Sequence, residues 1–133
     1  DRFDQQLDLG VNFRPSEVQA LLMYAVAKEV ESIIQNKREI AAVFSKTCDE
    51  LGIPYFDQET GGQKGNYYKY LLLSDGNIHD DLPQLKTTTS KVYDYCLGES
   101  TAIINCHACL PIWYDLPGET VDQVISELRA SKS

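Results

Sequence analysis

The sequence predicts an α+β fold in which a small, mainly antiparallel sheet packs against a long N-terminal helix, or two helices, and a C-terminal helix. Three observations support this fold class. Apolar residues recur at three- and four-residue steps through residues 16–51. Short stretches rich in aromatic and β-branched residues follow, and turn residues separate them. A second helical pattern then closes the chain.

The N-terminal helix is predicted from its ends as well as from its periodicity. Pro15 suits the first helical turn, where its missing N–H has no partner to lose, and Glu17 favours the positive end of the helix dipole. Gly52 follows the last apolar position, as a C-terminal cap does. The span is either one helix or two with a bend near residues 27–36. Its apolar stripe is expected in the core, and comprises Val18, Leu21, Leu22, Ala25, Val26, Val30, Ile33, Ile34, Ile40, Val43, Phe44, Cys48 and Leu51.

The rest of the chain alternates short strands with helical turns. Residues 53–56 are expected to be extended, and the strongest strand pattern lies over residues 66–73. Further strands are predicted over 87–95 and 106–113, a helical turn over 80–86 and a short helix over 98–105. A final helix opens at residues 117–120, and its apolar face consists of Val121, Val124, Ile125 and Leu128.

Length and charge narrow the functional classes. The chain has 133 residues, which suits one domain, and it begins with Asp1, so we expect residues 1–133 to form the C-terminal domain of a longer protein. Its net charge of −8 and its scattered lysines and arginines argue against nucleic acid or an anionic membrane as a partner. Residues 20–27 form the longest apolar run, well short of the ~18 residues a membrane span needs. With reduced cysteines, a cytoplasmic location is expected.

Two motifs invite a chemical interpretation. Cys106-His107-Ala108-Cys109 is compatible with core packing, a metal site or a redox pair. Core packing is favoured, because residues three apart on a strand point to opposite faces and a zinc site needs about four converging ligands. The glycine-rich residues 61–65 lack the Gly-Lys-Ser/Thr ending of a phosphate loop, so they are expected to form a flexible hairpin loop. The tyrosines are expected to be mostly structural.

Residues 12–20, Asn-Phe-Arg-Pro-Ser-Glu-Val-Gln-Ala, resemble the motif that opens a long helix in the DegT/DnrJ/StrS family of pyridoxal-phosphate-dependent sugar aminotransferases. Three later stretches are similar to family patterns in the same order. They are the Lys-Arg-Glu-Ile-Ala of residues 37–41, the strand at 68–73, and the Leu-Pro strand followed by the helix at 119–128. Together the four stretches span most of residues 10–130.

The resemblance implies the C-terminal small domain of a fold-type I aminotransferase. The parent enzyme would be a homodimer that moves an amino group from an amino-acid donor onto a nucleotide-linked keto-sugar, in polysaccharide or antibiotic biosynthesis. Its cofactor, pyridoxal 5′-phosphate, forms a Schiff base with a lysine that precedes this chain, so the chain alone is expected neither to bind the cofactor nor to catalyse the reaction. No catalytic or metal-binding residue is assigned to it.

The resemblance also assigns three site residues. Asn12 would reach the cofactor phosphate of the partner subunit, and Arg14 and Tyr93 would lie near the substrate. The chain departs from the family around Tyr93, because Val92 stands where family members often have histidine and no proline follows. A non-catalytic interaction module with the same fold is therefore the alternative hypothesis, and a thiol–metal protein is a weaker third.

Overall fold

A computed structural model of the protein describes residues 16–87 and 105–133. Five elements follow one another in this part of the chain: α1 (Glu17–Leu51), β1 (Tyr70–Leu73), α2 (Ile78–Asp81), β2 (His107–Leu110) and α3 (Gly118–Ser131). The two strands are antiparallel, so the predicted α+β class is confirmed. Most of the strand predicted over 87–95 and of the helix predicted over 98–105 lies outside the described residues.

The chain divides into two compact units, Asp1–Glu31 and Ser32–Ser133, and the boundary falls within α1. The prediction that residues 1–133 form one domain stays a prediction. Within the described ranges, no helix combines the length and the apolar run that crossing a bilayer requires.

Helix α1 is a single helix of 35 residues, which decides between the two predicted alternatives. At its start, the Gln19 N–H donates to Ser16 Oγ over 3.3 Å and the Ser16 N–H donates to Gln19 Oε1 over 2.9 Å. This reciprocal pair is a capping box, which satisfies backbone donors that the first turn leaves unpaired. Pro15 lies outside the described residues.

Gly52 ends α1, as predicted, in a left-handed conformation with φ +63°. The Ile53 N–H donates to the Cys48 carbonyl over 2.9 Å, and the Gly52 N–H donates to the Asp49 carbonyl over 3.4 Å. These two bonds form a Schellman motif, which satisfies carbonyls that the last turn would otherwise leave unpaired.

The core of Ser32–Ser133 lies between the second half of α1, the sheet and α3. Alternate residues of β1, Tyr70 and Leu72, are at most 1% exposed and face this core. From α3, Val124 and Leu128 are fully buried, as its predicted apolar face requires. The second half of α1 contributes Ile40, Ala41, Phe44 and Cys48.

Strand β1 lies between two extended neighbours. It pairs with β2 in the register Tyr70↔Leu110 to Leu73↔His107. On its other edge the Leu73 N–H donates to the Pro54 carbonyl over 2.8 Å and the Phe56 N–H donates to the Leu71 carbonyl over 3.0 Å. The predicted extended segment 53–56 therefore borders the sheet, although it forms only an isolated bridge at Tyr55.

Three predicted element boundaries were wrong. The strand predicted over 106–113 covers only His107–Leu110, because Pro111 has no N–H to extend the ladder. The strand predicted over 66–73 begins only at Tyr70, because Tyr67 has a left-handed φ of 48° and the Asn66 side chain accepts the Tyr68 N–H in a local turn over 3.1 Å. The helical turn predicted over 80–86 lies earlier, at Ile78–Asp81, because Asn77 caps it by accepting the His79 N–H.

Glu127 on α3 fixes the chain at Lys86 and Thr87. One of its carboxylate oxygens accepts the N–H of Lys86 (2.8 Å), the N–H of Thr87 (3.0 Å) and the Thr87 hydroxyl (2.7 Å), and the other accepts Nε2 of Gln123 (3.0 Å). Burial alone would raise the pKa of this carboxyl, but the hydrogen bonds outweigh burial and lower it. The ionised form is thus the one that the fold stabilises.

Replacing Gly52 by alanine is expected to lower the free energy of unfolding by about 1 kcal/mol or more, because a side chain disfavours positive φ. No atom lies within 4 Å of the position a Cβ would take, so the cost is conformational rather than steric. Urea unfolding measures it. Gly76→Ala is the matched control: its Cβ would also meet nothing within 4 Å and its φ is not positive, so little change is expected. Equal effects of the two variants would contradict the capping role.

Replacing Glu127 by glutamine is expected to lower the free energy of unfolding by about 1–2 kcal/mol at neutral pH, because charged acceptors form the stronger hydrogen bonds. Since the folded pKa lies below the unfolded value of about 4.3, this contribution is complete above that value and is lost as the pH falls through the folded pKa. The difference in the free energy of unfolding between the unsubstituted protein and Glu127→Gln should therefore decrease in acid. Urea unfolding at several pH values measures this difference. Asp122→Asn, exposed on the same helix, is the control; a gap constant with pH would contradict the prediction.

Candidate functional site

The three site residues predicted from the family resemblance, Asn12, Arg14 and Tyr93, lie outside the described residues. Their roles, and the contact of Asn12 with pyridoxal phosphate, stay predictions. The described part of the chain offers a different concave surface, a groove of about 690 Å³ within Ser32–Ser133. We call it the tyrosine groove; α1 forms one wall with Arg38, Ala42, Ser45, Lys46, Asp49 and Glu50, and the other contains Tyr55, Asp57, Glu59 and Tyr67.

Aromatic packing builds the second wall. The Tyr70 ring, 1% exposed, stacks against Tyr55 at a centroid distance of 5.8 Å and against Tyr67 at 6.3 Å. The ring of Phe44, on α1, meets it edge-on at 5.5 Å. Each such pair adds about 0.5–1.5 kcal/mol beyond the area it buries, so the wall is anchored to the core through Tyr70.

Ser45, which lines the tyrosine groove, is hydrogen-bonded to the buried Tyr70 next to Cys48 in the core. The hydroxyls of Tyr70 and Ser45 are 2.9 Å apart. Burial raises the pKa of Tyr70, and it raises the pKa of the Cys48 thiol to about 11. Both groups are therefore protonated at neutral pH, and Cys48 is a poor nucleophile, because the thiolate is the reactive form.

Arg38 lines the tyrosine groove and bonds to the glycine-rich loop. Its Nε donates to the carbonyl of Gly65 over 2.9 Å and its Nη2 donates to that of Lys64 over 3.3 Å. On the other side of this loop, Gln58 Nε2 donates to the Lys69 carbonyl over 2.7 Å. The guanidinium thus holds the end of the glycine-rich stretch against α1, and this stretch is followed by the turn at Tyr67 rather than by a helix that could receive a phosphate.

Carboxylates outnumber cations around the groove. Asp49, Glu50, Asp57 and Glu59 line it together with Arg38 and Lys46. An ion pair joins Glu50 to Arg129, at 3.5 Å on the surface. Burial raises the pKa of Tyr67, and the nearby charges of Glu59 and Asp57 add to this rise, so its hydroxyl is a neutral donor at neutral pH.

These features define what the tyrosine groove can do. Neutral hydroxyls, carboxylates and aromatic rings bind hydroxylated or cationic groups, whereas a phosphate would meet uncompensated negative charge. Pyridoxal phosphate, whose phosphate needs such a positive or amide-lined cradle, therefore does not fit the groove. The groove is therefore a candidate binding surface for such groups.

Strand β2 contains His107, Ala108 and Cys109 of the cysteine–histidine motif and lies in the core. All four of its residues, His107–Leu110, are buried, so both faces of the strand are covered. Among the described residues, no group of three or more histidines, cysteines or acidic residues is arranged to hold a metal ion. The burial of Cys109 and His107 agrees with the favoured interpretation of core packing.

Sequence reasoning missed the tyrosine groove for a geometric reason. Tyr67 and Tyr70 are three residues apart, and in the continuous strand that was predicted they would point to opposite faces. The left-handed turn at Tyr67 breaks this alternation and lets both rings stack. Arg38 was noted only for its place in the 37–41 motif. The signal available in the sequence for this turn was Asn66 before Tyr67, since asparagine favours turns.

No model of a known protein family matches the chain. An uncharacterized protein of Chlamydia pneumoniae is 33% identical over 78 residues, which are 57% of this chain and 17% of that protein. The crystal structure of the aminotransferase TlmJ from Streptoalloteichus hindustanus is similar with a TM-score of 0.64 and 20% identity, over 78% of this chain and 33% of TlmJ. The chain thus spans a minor part of both proteins, and it shares its fold with part of an aminotransferase.

The Ser45–Tyr70 hydrogen bond is expected to stabilise the fold by about 0.5–1.5 kcal/mol. Tyr70→Phe and Ser45→Ala should each lower the free energy of unfolding, and the double variant should lose less than the sum, because both changes remove one shared bond. Urea unfolding of the four proteins measures this coupling. Tyr68→Phe, whose side chain is 68% exposed, is the control and should have almost no effect. Additive effects of the two core changes would show that the hydroxyls are not coupled.

Proposed function

We propose that this chain is the C-terminal domain of a pyridoxal-phosphate-dependent aminotransferase that acts on nucleotide-linked keto-sugars. The observation that carries the proposal is the fold shared with part of TlmJ over 78% of the chain. The sugar substrate rests on the resemblance of residues 12–20 and of the three later stretches to the DegT/DnrJ/StrS family. Polysaccharide or antibiotic biosynthesis in the cytoplasm is the setting this activity implies.

In this proposal the chain helps to complete an active site, and the groups that carry out the reaction lie outside this chain. The cofactor supplies the electron sink, and the protein binds and orients it. Asn12 would donate its side-chain amide to the phosphate of the partner subunit's cofactor, and Arg14 and Tyr93 would contact the substrate. The described residues around the tyrosine groove do not suit the cofactor, which agrees with a domain that contributes the dimer interface and active-site closure rather than the catalytic lysine.

The fold of Ser32–Ser133 supports the positioning role. Strand β1 is paired on both edges, and its Tyr70 and Leu72 are buried against α1 and α3. This pairing and burial suit a positioning role, since functional side chains on loops depend on a fixed scaffold. Residues 88–104, which include Tyr93, follow Thr87 in the sequence, and Glu127 fixes Thr87 to α3.

Asn12→Ala in the full-length protein is expected to weaken cofactor binding by about 1–3 kcal/mol, or roughly tenfold to hundredfold in Kd, because a hydrogen bond to a charged group is lost. Titration of the apoprotein with pyridoxal phosphate, followed by absorbance, measures Kd. Asn66→Ala is the matched control, because the Asn66 side chain accepts only a local backbone N–H in the described structure and should leave Kd unchanged. An unchanged Kd for Asn12→Ala would remove Asn12 from the site.

A non-catalytic interaction module with the same fold is the second candidate. It is favoured by one observation, the departure around Tyr93, where Val92 replaces the histidine typical of the family and the proline is missing. The two candidates differ in the polypeptide that precedes residue 1. A Schiff-base lysine there, with cofactor binding by the full-length protein, supports the enzyme; its absence supports the module.

A further inference from the structure

The tyrosine groove has an excess of negative charge. Four carboxylates line it, those of Asp49, Glu50, Asp57 and Glu59. Two cationic side chains, Arg38 and Lys46, line it as well. Arg38 directs its hydrogen bonds to carbonyls of the glycine-rich loop, and Glu50 is paired with Arg129 at 3.5 Å. The charge of the other three carboxylates is therefore only partly balanced within the groove.

These carboxylates lie close to the tyrosine hydroxyls of the groove. Burial raises the pKa of Tyr67, and the charges of Glu59 and Asp57 raise it further. Burial also raises the pKa of Tyr55, and the charges of Asp49 and Asp57 add to that rise. Each hydroxyl is thus neutral at pH 7 and has carboxylates near it. Hydroxyl and carboxylate oxygens both accept hydrogen bonds, so the groove is rich in acceptors.

The acceptors are distributed over both walls of the groove. The Asp57 side chain accepts the Glu59 N–H over 2.8 Å, so one short turn holds both of these carboxylates on the wall opposite α1. Asp49 belongs to α1 itself. A bound Ca²⁺ or Mg²⁺ needs about six oxygens around one point. No such convergence exists in residues 16–87 and 105–133, where no three histidines, cysteines or acidic residues are arranged to hold a metal ion.

Charge separates the remaining classes of ligand. An anion is repelled by the excess of carboxylates, and a neutral hydroxylated molecule leaves that excess unbalanced. An organic ammonium group brings both a positive charge and three N–H donors. Because the carboxylates stand on two walls, a molecule with several ammonium groups along its length can pair with both walls at once.

We propose that the tyrosine groove binds an aliphatic polyamine, whose ammonium groups pair with the carboxylates of both walls. The methylene chain between these groups lies against the rings of Tyr55 and Tyr67, which also attract cations. The groove volume of about 690 Å³ suits a small organic molecule, since such sites measure about 300–1,000 Å³. This inference goes beyond the proposed function, which assigns no role to any residue of the groove.

Isothermal titration of the full-length protein with spermidine tests the proposal. Asp49→Asn and Glu59→Gln should each raise Kd about threefold, as expected for one exposed charge pair, and the double variant about tenfold. Asp122→Asn, exposed on α3 and outside the groove, is the matched control and should leave Kd unchanged. An unchanged Kd for the double variant, or an equal rise for Asp122→Asn, would overturn the proposal.

Lys46→Gln tests the same pairing with the opposite sign. The substitution removes a cation that competes with the ligand for the carboxylates, so Kd for spermidine should fall about threefold. Damage to the fold would weaken binding, so it does not imitate this result. Unchanged or weaker binding would contradict the pairing of ligand and carboxylates.

A panel of ligands tests the chemical class. Spermidine should bind the full-length protein more tightly than butylamine, which has one ammonium group, and 1,4-butanediol, which has none, should not bind. Its affinity should fall as sodium chloride is added, because salt screens exposed charges. Glucosamine binding as tightly as spermidine would identify a hydroxylated ligand instead, and Mg²⁺ binding as tightly would identify a metal site; either outcome overturns the proposal.

Discussion

Burying the Tyr70 ring while its hydroxyl stays hydrogen-bonded is the constraint on which the fold of Ser32–Ser133 depends. A buried hydroxyl without a partner costs about 1–3 kcal/mol, and Ser45 on α1 supplies a partner for Tyr70 on β1. That requirement sets the position of the helix over the sheet and brings Phe44 against the same ring. Because Tyr55 and Tyr67 stack on Tyr70, it also determines where the wall of the tyrosine groove lies.

Hydrophobic periodicity predicted the helices that bury one continuous face in the core. The second half of α1 buries Ile40, Phe44 and Cys48 of its predicted stripe but leaves Val43 43% exposed. Helix α3 buries Val124 and Leu128 of its predicted face. The first half of α1 did not follow its stripe: Leu21 and Leu22 are exposed, because nothing in Asp1–Glu31 that the structure describes covers them. Periodicity identifies an apolar face but not which part of the protein buries it.

The candidate site was much harder to predict than the fold. The tyrosine groove depends on a left-handed turn at Tyr67 and on Arg38 reaching carbonyls 26 and 27 residues away. Such long-range contacts leave no local periodic signal. Asn12, Arg14 and Tyr93, in contrast, were assigned from sequence motifs and not from packing. All three fall outside the described residues. The reciprocal hydrogen bonds of Ser16 and Gln19 could be predicted, because the spacing of these residues is that of a capping box.

The clasp that Glu127 forms with Lys86 and Thr87 joins parts of the chain that are 41 and 40 residues apart in the sequence. Closing a loop of this length costs conformational entropy before the hydrogen bonds can repay it. Contacts between residues that are distant in the sequence slow folding, so we expect this clasp to form late, after α3 has packed on the sheet.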